Sequence, residues 1–258
     1  MSLTLKKFKD VKNMKVYLCP GHGGADSGAV GNGFKEKDLN LNIAKFTRDY
    51  LKSAGVITKM SRETDIDPGL NNRANEANRW GADLVVEIHI NAGGGDGFEV
   101  FHSVVGGVSK TLAKNIETEV KKIGQNSRGL KTRKNSNGQD YFGIIRMTKA
   151  PAVLVECAFI DTKDIKIVDS VAEQKIFGEA IARGVLKTLG VEAGTYMTLS
   201  SLNFRKLPNL ESQVLEVLPK GTVLVGQEVS GGWLKTTYKK KTGYCRIKGQ
   251  SKTYMKKM

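Results

Sequence analysis

Histidine and cysteine are scarce in this chain of 258 residues, with three of each. Cys19, Cys157 and Cys245 are odd in number, far apart and form no Cys-x-x-Cys pair. That excludes a disulfide scaffold and a zinc knuckle, and the three read as free thiols of a protein made in a reducing cytosol. Long apolar runs are missing too. The longest, 150–160, has 11 residues and is interrupted by Glu156, too short for a membrane span. The N-terminal stretch carries Lys6, Lys7, Lys9 and Lys12 with no apolar segment behind them, which argues against a cleaved secretory signal. Acidic residues are in deficit, 26 against 41 Lys and Arg, for a net charge of +15.

What is present supports a folded chain: 40% apolar residues, and length for one large domain or a medium and a small one. A charge of +15 suggests an acidic partner, nucleic acid first among them. Its distribution argues otherwise. Residues 196–258 hold 12 Lys and Arg against 3 acids, a net of +9, and the first fifteen residues supply +4. The stretch 16–195 is only +2. A nearly neutral domain therefore carries a basic tail domain and a short basic leader.

Residues 16–190 alternate apolar strands with amphipathic helical stretches. Strands are expected at 16–19, 56–60, 84–90, 98–105 and 152–158. Leu39, Ile43, Phe46 and Tyr50 recur at helical spacing, as do Leu112, Ile116, Val120 and Ile123, and a polar helix spans 70–80. Ile176, Ala180 and Val185 mark the last helix. This alternation predicts an α/β domain with a mostly parallel twisted sheet flanked by helices. After Gly190 the texture changes. A short linker at 191–195 is followed by brief runs of β-formers between Gly, Pro and Lys turns, as expected of a small all-β barrel.

With so few histidines, candidate metal ligands are easily listed by position. His22 lies in a Gly-rich turn after the first strand, and His89 near the end of the buried strand 84–90. The C-terminal ends of parallel strands share one edge where ligands and catalytic groups collect. Glu36 opens the first long helix near that edge, and His, Glu and His would leave a fourth position free, the pattern of a catalytic zinc. Glu156, late in the last buried strand, needs a partner or a task; a carboxylate there could take the proton of a water attacking a carbonyl. Each residue alone has a plainer reading. A histidine after glycine is commonly a loop residue, a strand-end histidine a hydrogen-bonded core residue, a glutamate at a helix start a partner of the helix dipole, and a buried glutamate half of an ion pair. Their common location is what favours the site. Glu87, facing the same side as His89, reads as a buried ion pair or a support for a ligand histidine. His102 reads as a core or surface residue, and Arg62 and Arg73 as salt-bridge formers.

The segments 20–29 (PGHGGADSGA) and 36–41 (EKDLNL) closely resemble the opening of the zinc-dependent N-acetylmuramoyl-L-alanine amidases. Residues 61–65 (SRETD), 88–92 (IHINA) and 151–156 (PAVLVE) resemble further motifs of that family in the same order, with Ser61 and Glu87 departing from its usual residues. The resemblance covers about 14–190. It implies that His22, Glu36 and His89 hold one Zn2+ and that Glu156 is the catalytic carboxylate. The bond implied is the amide between N-acetylmuramic acid and the L-alanine of the stem peptide. The opening of the tail at 202–208 (LNFRKLP), with the turns at 220–223 and 232–235, resembles bacterial SH3-like wall-binding domains. Two domains are thus expected, 14–190 for amidase chemistry and 196–258 for wall binding. The implied partners are peptidoglycan and, through the basic barrel, an anionic wall polymer or wall peptide. No nucleic acid, no membrane span and a monomer are expected. A wall enzyme made in the cytoplasm without a signal peptide fits a phage endolysin released by holin-type permeabilisation. A host autolysin is the same chemistry in another setting, and a non-catalytic wall- or polyanion-binding protein is the reading from a different class. Trp233, Tyr238 and Tyr244 keep an aromatic nucleic-acid platform open.

Overall fold

A computed structural model describes residues 14–191, 193–239 and 241–258. The basic leader lies almost wholly outside the described residues. The order of elements is β1 (Lys15–Pro20), β2 (Val30–Gly31), β3 (Phe34–Lys35), α1 (Glu36–Ser53), β4 (Ile57–Met60), α2 (Leu70–Trp80), β5 (Leu84–Asn91), β6 (Phe98–His102), α3 (Gly107–Lys122), β7 (Ser127–Lys131), α4 (Gly143–Met147), β8 (Ala152–Phe159) and α5 (Val171–Thr188). Six strands form one sheet in the order β4-β1-β5-β8-β6-β7.

Strands β4, β1, β5 and β8 are parallel; β1, β5 and β8 have the near-continuous apolar composition of strands buried on both faces, whereas β4 is a partly exposed edge strand. β6 runs antiparallel to β8, and β7 follows β6 in parallel, so the sheet is mixed. Only residues 92–97 join β5 to β6, too few for the crossover that a parallel return requires. Side chains alternate between two apolar layers. Val16 and Leu18 of β1 pack with Leu39, Ile43 and Phe177 from the α1 and α5 side, whereas Tyr17 and Cys19 pack with Ala74, Ala77 and Ile144 from the α2 and α4 side. All three cysteines are buried and unpaired, and burial pushes the Cys19 and Cys157 thiols up. No described helix is long and apolar enough to cross a membrane.

Helix α5 starts at a capping box in which Ser170 and Glu173 satisfy each other's backbone N–H groups. It lies against both α1 and α3. Phe177, Ala180, Ile181 and Val185 form its inner face, while Ile176, expected on that face, is 48% exposed; three apolar positions within ten residues do not fix the phase of a helix. Two glycines permit the close packing. A Cβ at Gly178 would stand 2.6 Å from the Ile43 carbonyl oxygen of α1, and one at Gly184 would stand 2.4 Å from the Ile116 Cα of α3. Alanine is the better helix former by about 1 kcal/mol, yet Gly184→Ala must push two backbones apart. The variant is expected to lose about 1–3 kcal/mol of stability, readable as a lower chemical-denaturation midpoint at unaltered m-value; a gain in stability would refute the close-packing account.

The tail forms a second sheet from β9 (Ala193–Thr198), β10 (Leu202–Arg205), β11 (Val214–Leu218), β12 (Val223–Val229), β13 (Trp233–Tyr238), β14 (Lys241–Arg246) and β15 (Met255–Lys257), in the order β11-β10-β14-β13-β12-β9-β15. β9 begins inside the stretch expected to be a linker, because Gly194, Thr195 and Tyr196 pair with β12. The sheet therefore takes its first strand earlier than residue 196. Its core gathers Tyr196, Leu202, Phe204, Leu218, Leu224, Leu234, Cys245 and Met255. Trp233 is buried with the Arg246 guanidinium 5.1 Å from its ring centroid, and Tyr238 and Tyr244 are half-buried, so these three do not make an exposed stacking platform.

Candidate metal centre and catalytic edge

The candidate site lies at the C-terminal edge of β1, β5 and β8. His22 follows β1 by two residues, His89 stands on β5, and Glu156 stands directly beside His89 on β8. Glu36 is the first residue of α1, where a carboxylate is favoured by the free N–H groups of the helix end. Its Oε2 accepts from Ala29 N (2.9 Å) and its Oε1 from Ile90 N (3.1 Å). The same Oε1 lies 2.8 Å from His89 Nδ1 and 3.2 Å from His22 Nε2. The structure thus brings His22, Glu36 and His89 together, with one donor atom from each within 4.8 Å of the others.

The outer contacts decide which atoms face inward. Asp26 Oδ2 lies 2.7 Å from His22 Nδ1, so the Nε2 of His22 points to the centre. Glu87 Oε2 lies 3.9 Å from His89 Nε2 and Glu87 Oε1 3.7 Å from Arg73 Nη1, leaving His89 Nδ1 inward. Glu87 thus sits between Arg73 and the outer side of His89, a position that accommodates both of its readings. Asp26 was not singled out in advance; the carboxylate four residues from a candidate ligand histidine was the available signal. His102 is buried on β6 with Nδ1 at 2.8 Å from the Ser103 carbonyl, a core residue.

The loop that carries His22 is held open by glycines and clamped by arginines. His22 has φ 59°, in the left-handed region. A Cβ at Gly28, φ 63°, would meet Glu36 Oε2 at 2.6 Å, and one at Gly21 would overlap the His89 ring at 2.4 Å. Arg62 donates to the carbonyls of Pro20, Gly21, Lys37 and Thr64. Arg73 donates to the carbonyls of Pro20 and His22 and to Asp67. Of the two expected salt-bridge formers, Arg73 pairs with Asp67, whereas Arg62 clamps backbone carbonyls and has no acidic partner among the described residues. On the far side, Asp161 accepts from Gly93 N and Gly94 N, and Asp164 from Gly97 N, so the loop after β5 is also fixed by carboxylates.

Charge at the site is polarised by this packing. The Glu36 hydrogen bond raises the His22 pKa, burial opposes it, and Asp26 adds to the rise. Burial also opposes charge on His89, but Glu36 and Glu87 outweigh it and hold His89 well above its ordinary value. Burial works against ionised Glu36 as well, yet the two imidazoles bring its pKa far below the carboxylate range. Glu156 is treated differently. Burial, with help from the charges of Glu36, Glu99 and Glu87, pushes its carboxyl up to about 7 against the pull of His89. Its Oε2 is buried without a hydrogen-bond partner. Leu70, Phe142, Gly143 and Leu154 wall a cleft of about 380 Å³ over these groups.

Two imidazole nitrogens and one carboxylate oxygen converging with a side left open suit a catalytic zinc, and the glycine cradle whose Cβ space is taken by Glu36 and His89 fits that set. The comparisons agree with this geometry. The N-acetylmuramoyl-L-alanine amidase family matches residues 16–187, and the bacterial SH3 domain family matches residues 200–251. The chain is similar to the N-acetylmuramoyl-L-alanine amidase CwlM of Bacillus licheniformis, 34% identical over 81% of this chain and 82% of that protein. It is also similar to the endolysin of Bacillus phage SPP1, 42% identical over 58% of this chain but only 56% of the phage protein's length. Among solved structures, the catalytic domain of CwlV, an amidase from Bacillus (Paenibacillus) polymyxa var. colistinus, superposes with a TM-score of 0.63 at 28% identity, covering 69% of this chain and 99% of that one. With a family match over most of its length and the fold to go with it, the chain belongs to the N-acetylmuramoyl-L-alanine amidases and carries a bacterial SH3 domain behind the amidase domain.

Proposed function

We propose that this protein hydrolyses peptidoglycan at the amide joining the lactyl group of N-acetylmuramic acid to the L-alanine of the stem peptide. Residues 14–190 are the catalytic unit, and the sheet beginning at β9 is the wall-binding unit. The observation that carries the reading is Glu156: a half-buried side chain whose Oε2 is buried and without a partner, one strand away from the His22, Glu36 and His89 donors. His22, Glu36 and His89 hold one Zn2+, which when bound supplies a Lewis acid for the scissile carbonyl and acidifies water. Glu156 takes the proton of the attacking water and passes it to the leaving amine of L-alanine, a transfer suited to a carboxyl whose pKa lies near neutrality. Asp26 holds the His22 imidazole in its metal-facing orientation, and Glu87 places a negative charge behind that of His89. The +9 of residues 196–258 lets the barrel hold an anionic wall polymer or wall peptide while the catalytic unit cuts.

The biological setting we favour is phage lysis, with release from the cytoplasm by holin-type permeabilisation; similarity to the phage SPP1 endolysin supports it. Similarity to CwlM supports the alternative of a host autolysin. A holin gene beside this one would decide between them. The chemistry is tested on purified sacculi with and without chelator. New L-alanine amino termini that disappear with chelator and return with zinc are expected, with no new reducing sugar ends. Reducing ends, or cleavage that ignores the chelator, would refute the amidase reading.

A further inference from the structure

Near-neutrality of the catalytic domain conceals a strongly basic rim. Residues 128–149 hold six Lys and Arg against a single acid, Asp140, a net of +5. Asp140 does not neutralise them: its carboxylate accepts from Ser103 Oγ (2.8 Å) and Val104 N (2.7 Å), pinning the segment to the turn after β6. Arg128 and Lys131 are committed to buried Glu99. Arg133, Lys134, Arg146 and Lys149 have no acidic partner among the described residues.

One of these cations is held in place. The Arg133 guanidinium lies 3.8 Å from the centroid of the Tyr141 ring. Tyr141 N donates to the Arg133 carbonyl, and Arg146 ties the carbonyls of Asp140 and Tyr141. Tyr141 meets Phe142 edge-on at 5.3 Å, and Phe142 packs on Phe101 at 4.6 Å. Phe142 also lines the cleft that holds His22, His89 and Glu156. A fixed, exposed and unpaired guanidinium thus stands two ring contacts from the reacting groups. The cleft itself carries Asp26, Asp67, Glu87 and Glu156 together with Arg73 and the two imidazoles, so most of its charges are paired within the site whereas those of the rim are not.

We propose that Arg133, braced on Tyr141, receives a carboxylate of the stem peptide and makes the enzyme specific for stems whose carboxyl groups are free rather than amidated. This rests on the amidase reading and names a substrate feature within it. The planar fork of a guanidinium matches a carboxylate in two parallel hydrogen bonds, which a carboxamide cannot supply with charge. Stacking on an aromatic ring orders the side chain before substrate arrives, so little freedom is lost on binding. Unpaired cations on the rim beside a cleft whose charges are paired internally also set direction: the peptide's anionic groups lie toward 128–149, which leaves the lactyl amide over Glu156.

The test compares two synthetic muramoyl peptides that differ only in a free or amidated carboxyl on the residue after L-alanine. The wild-type, zinc-loaded protein should show a KM about 1.5- to fivefold lower for the acidic peptide, the range expected of an exposed charge pair. Arg133→Gln should erase that preference by raising KM for the acidic peptide, the change falling on KM rather than kcat. Arg133→Lys should restore part of it. Calorimetric binding of both peptides to Glu156→Gln protein, with and without Arg133→Gln, reads the same preference without turnover. A preference that survives Arg133→Gln, or equal KM and equal affinity for the two peptides in the wild type, would overturn the proposal. If neither peptide is cleaved, the amidase reading fails and the binding arm still decides the role of Arg133.

Discussion

Glu156→Gln is expected to lower turnover on sacculi by about 10²–10⁴-fold, the usual contribution of a positioned acid–base group, without lowering the melting temperature. The two halves belong together. A side chain essential for packing would lose both activity and stability when changed. Glu156 holds a buried oxygen without a partner, a feature that costs stability whenever the carboxylate is ionised. Burial raises its carboxyl to about 7, so the metal-free folded protein binds a proton that the unfolded chain has released between the ordinary carboxylate range and neutrality. Stability therefore falls as pH rises through that window, and the glutamine variant should be at least as stable as wild type above pH 7. Catalysis has the opposite dependence, because proton abstraction requires the ionised form. Wild-type kcat/KM should drop on the acid side at or below pH 7, since a nearby divalent cation pulls a carboxyl pKa down. That limb should vanish from the residual rate of the variant. Activity within tenfold of wild type, or a melting temperature well below it, would remove Glu156 from the role assigned to it.

The parts of the fold written in single elements were legible in the sequence. The apolar runs of β1, β5 and β8 announce strands buried on both faces, and the limits of α2 follow from its polar periodicity between Gly69 and Gly81. The parts that depend on how elements meet were not legible in the same way. β7 has only Leu130 as a large apolar residue in five and is a strand because β6 offers it an edge. The reversal of β6 was present only in the short connection at 92–97, which periodicity ignores. At the site, His22, Glu36, His89 and Glu156 could be gathered because strand ends of a parallel sheet share an edge. The arginine clamp was invisible for a physical reason. Arg62 and Arg73 bind carbonyl oxygens as far as 42 and 53 residues away, and backbone acceptors leave no mark in a sequence. The unpaired charge of Arg133 likewise depends on Asp140 being occupied elsewhere, which only the packing reveals.

Glu36→Ala is expected to abolish both metal retention and activity, with less than a tenth of an equivalent of zinc left after dialysis under conditions that keep the wild type loaded. Glu36 is the centre of the cluster, since its Oε1 is shared by both imidazoles and its Oε2 by the backbone of Ala29. Without it, His22 and His89 face each other across the vacated volume with their outer carboxylates unchanged. Asp26→Asn tests the support behind the ligand rather than the ligand; a loss of about 10–100-fold in zinc affinity is expected, with activity recovered at excess zinc. The same residues predict an unusual pH dependence of stability. In the metal-free protein His22 and His89 have raised pKa values and Glu36 a lowered one. The stabilisation from the charged imidazoles is complete below their unfolded value, about 6.5, and is lost as pH rises through the raised folded values. Zinc requires the same nitrogens free of protons, so its uptake releases protons and strengthens with pH. The rise in melting temperature on adding zinc should consequently be larger at pH 8.5 than at pH 6, and proton release should be measurable by calorimetry in buffers of different ionisation enthalpy. A zinc effect on melting that is flat across this range, or a Glu36→Ala protein that keeps its metal, would break the assignment of these three residues as the zinc ligands.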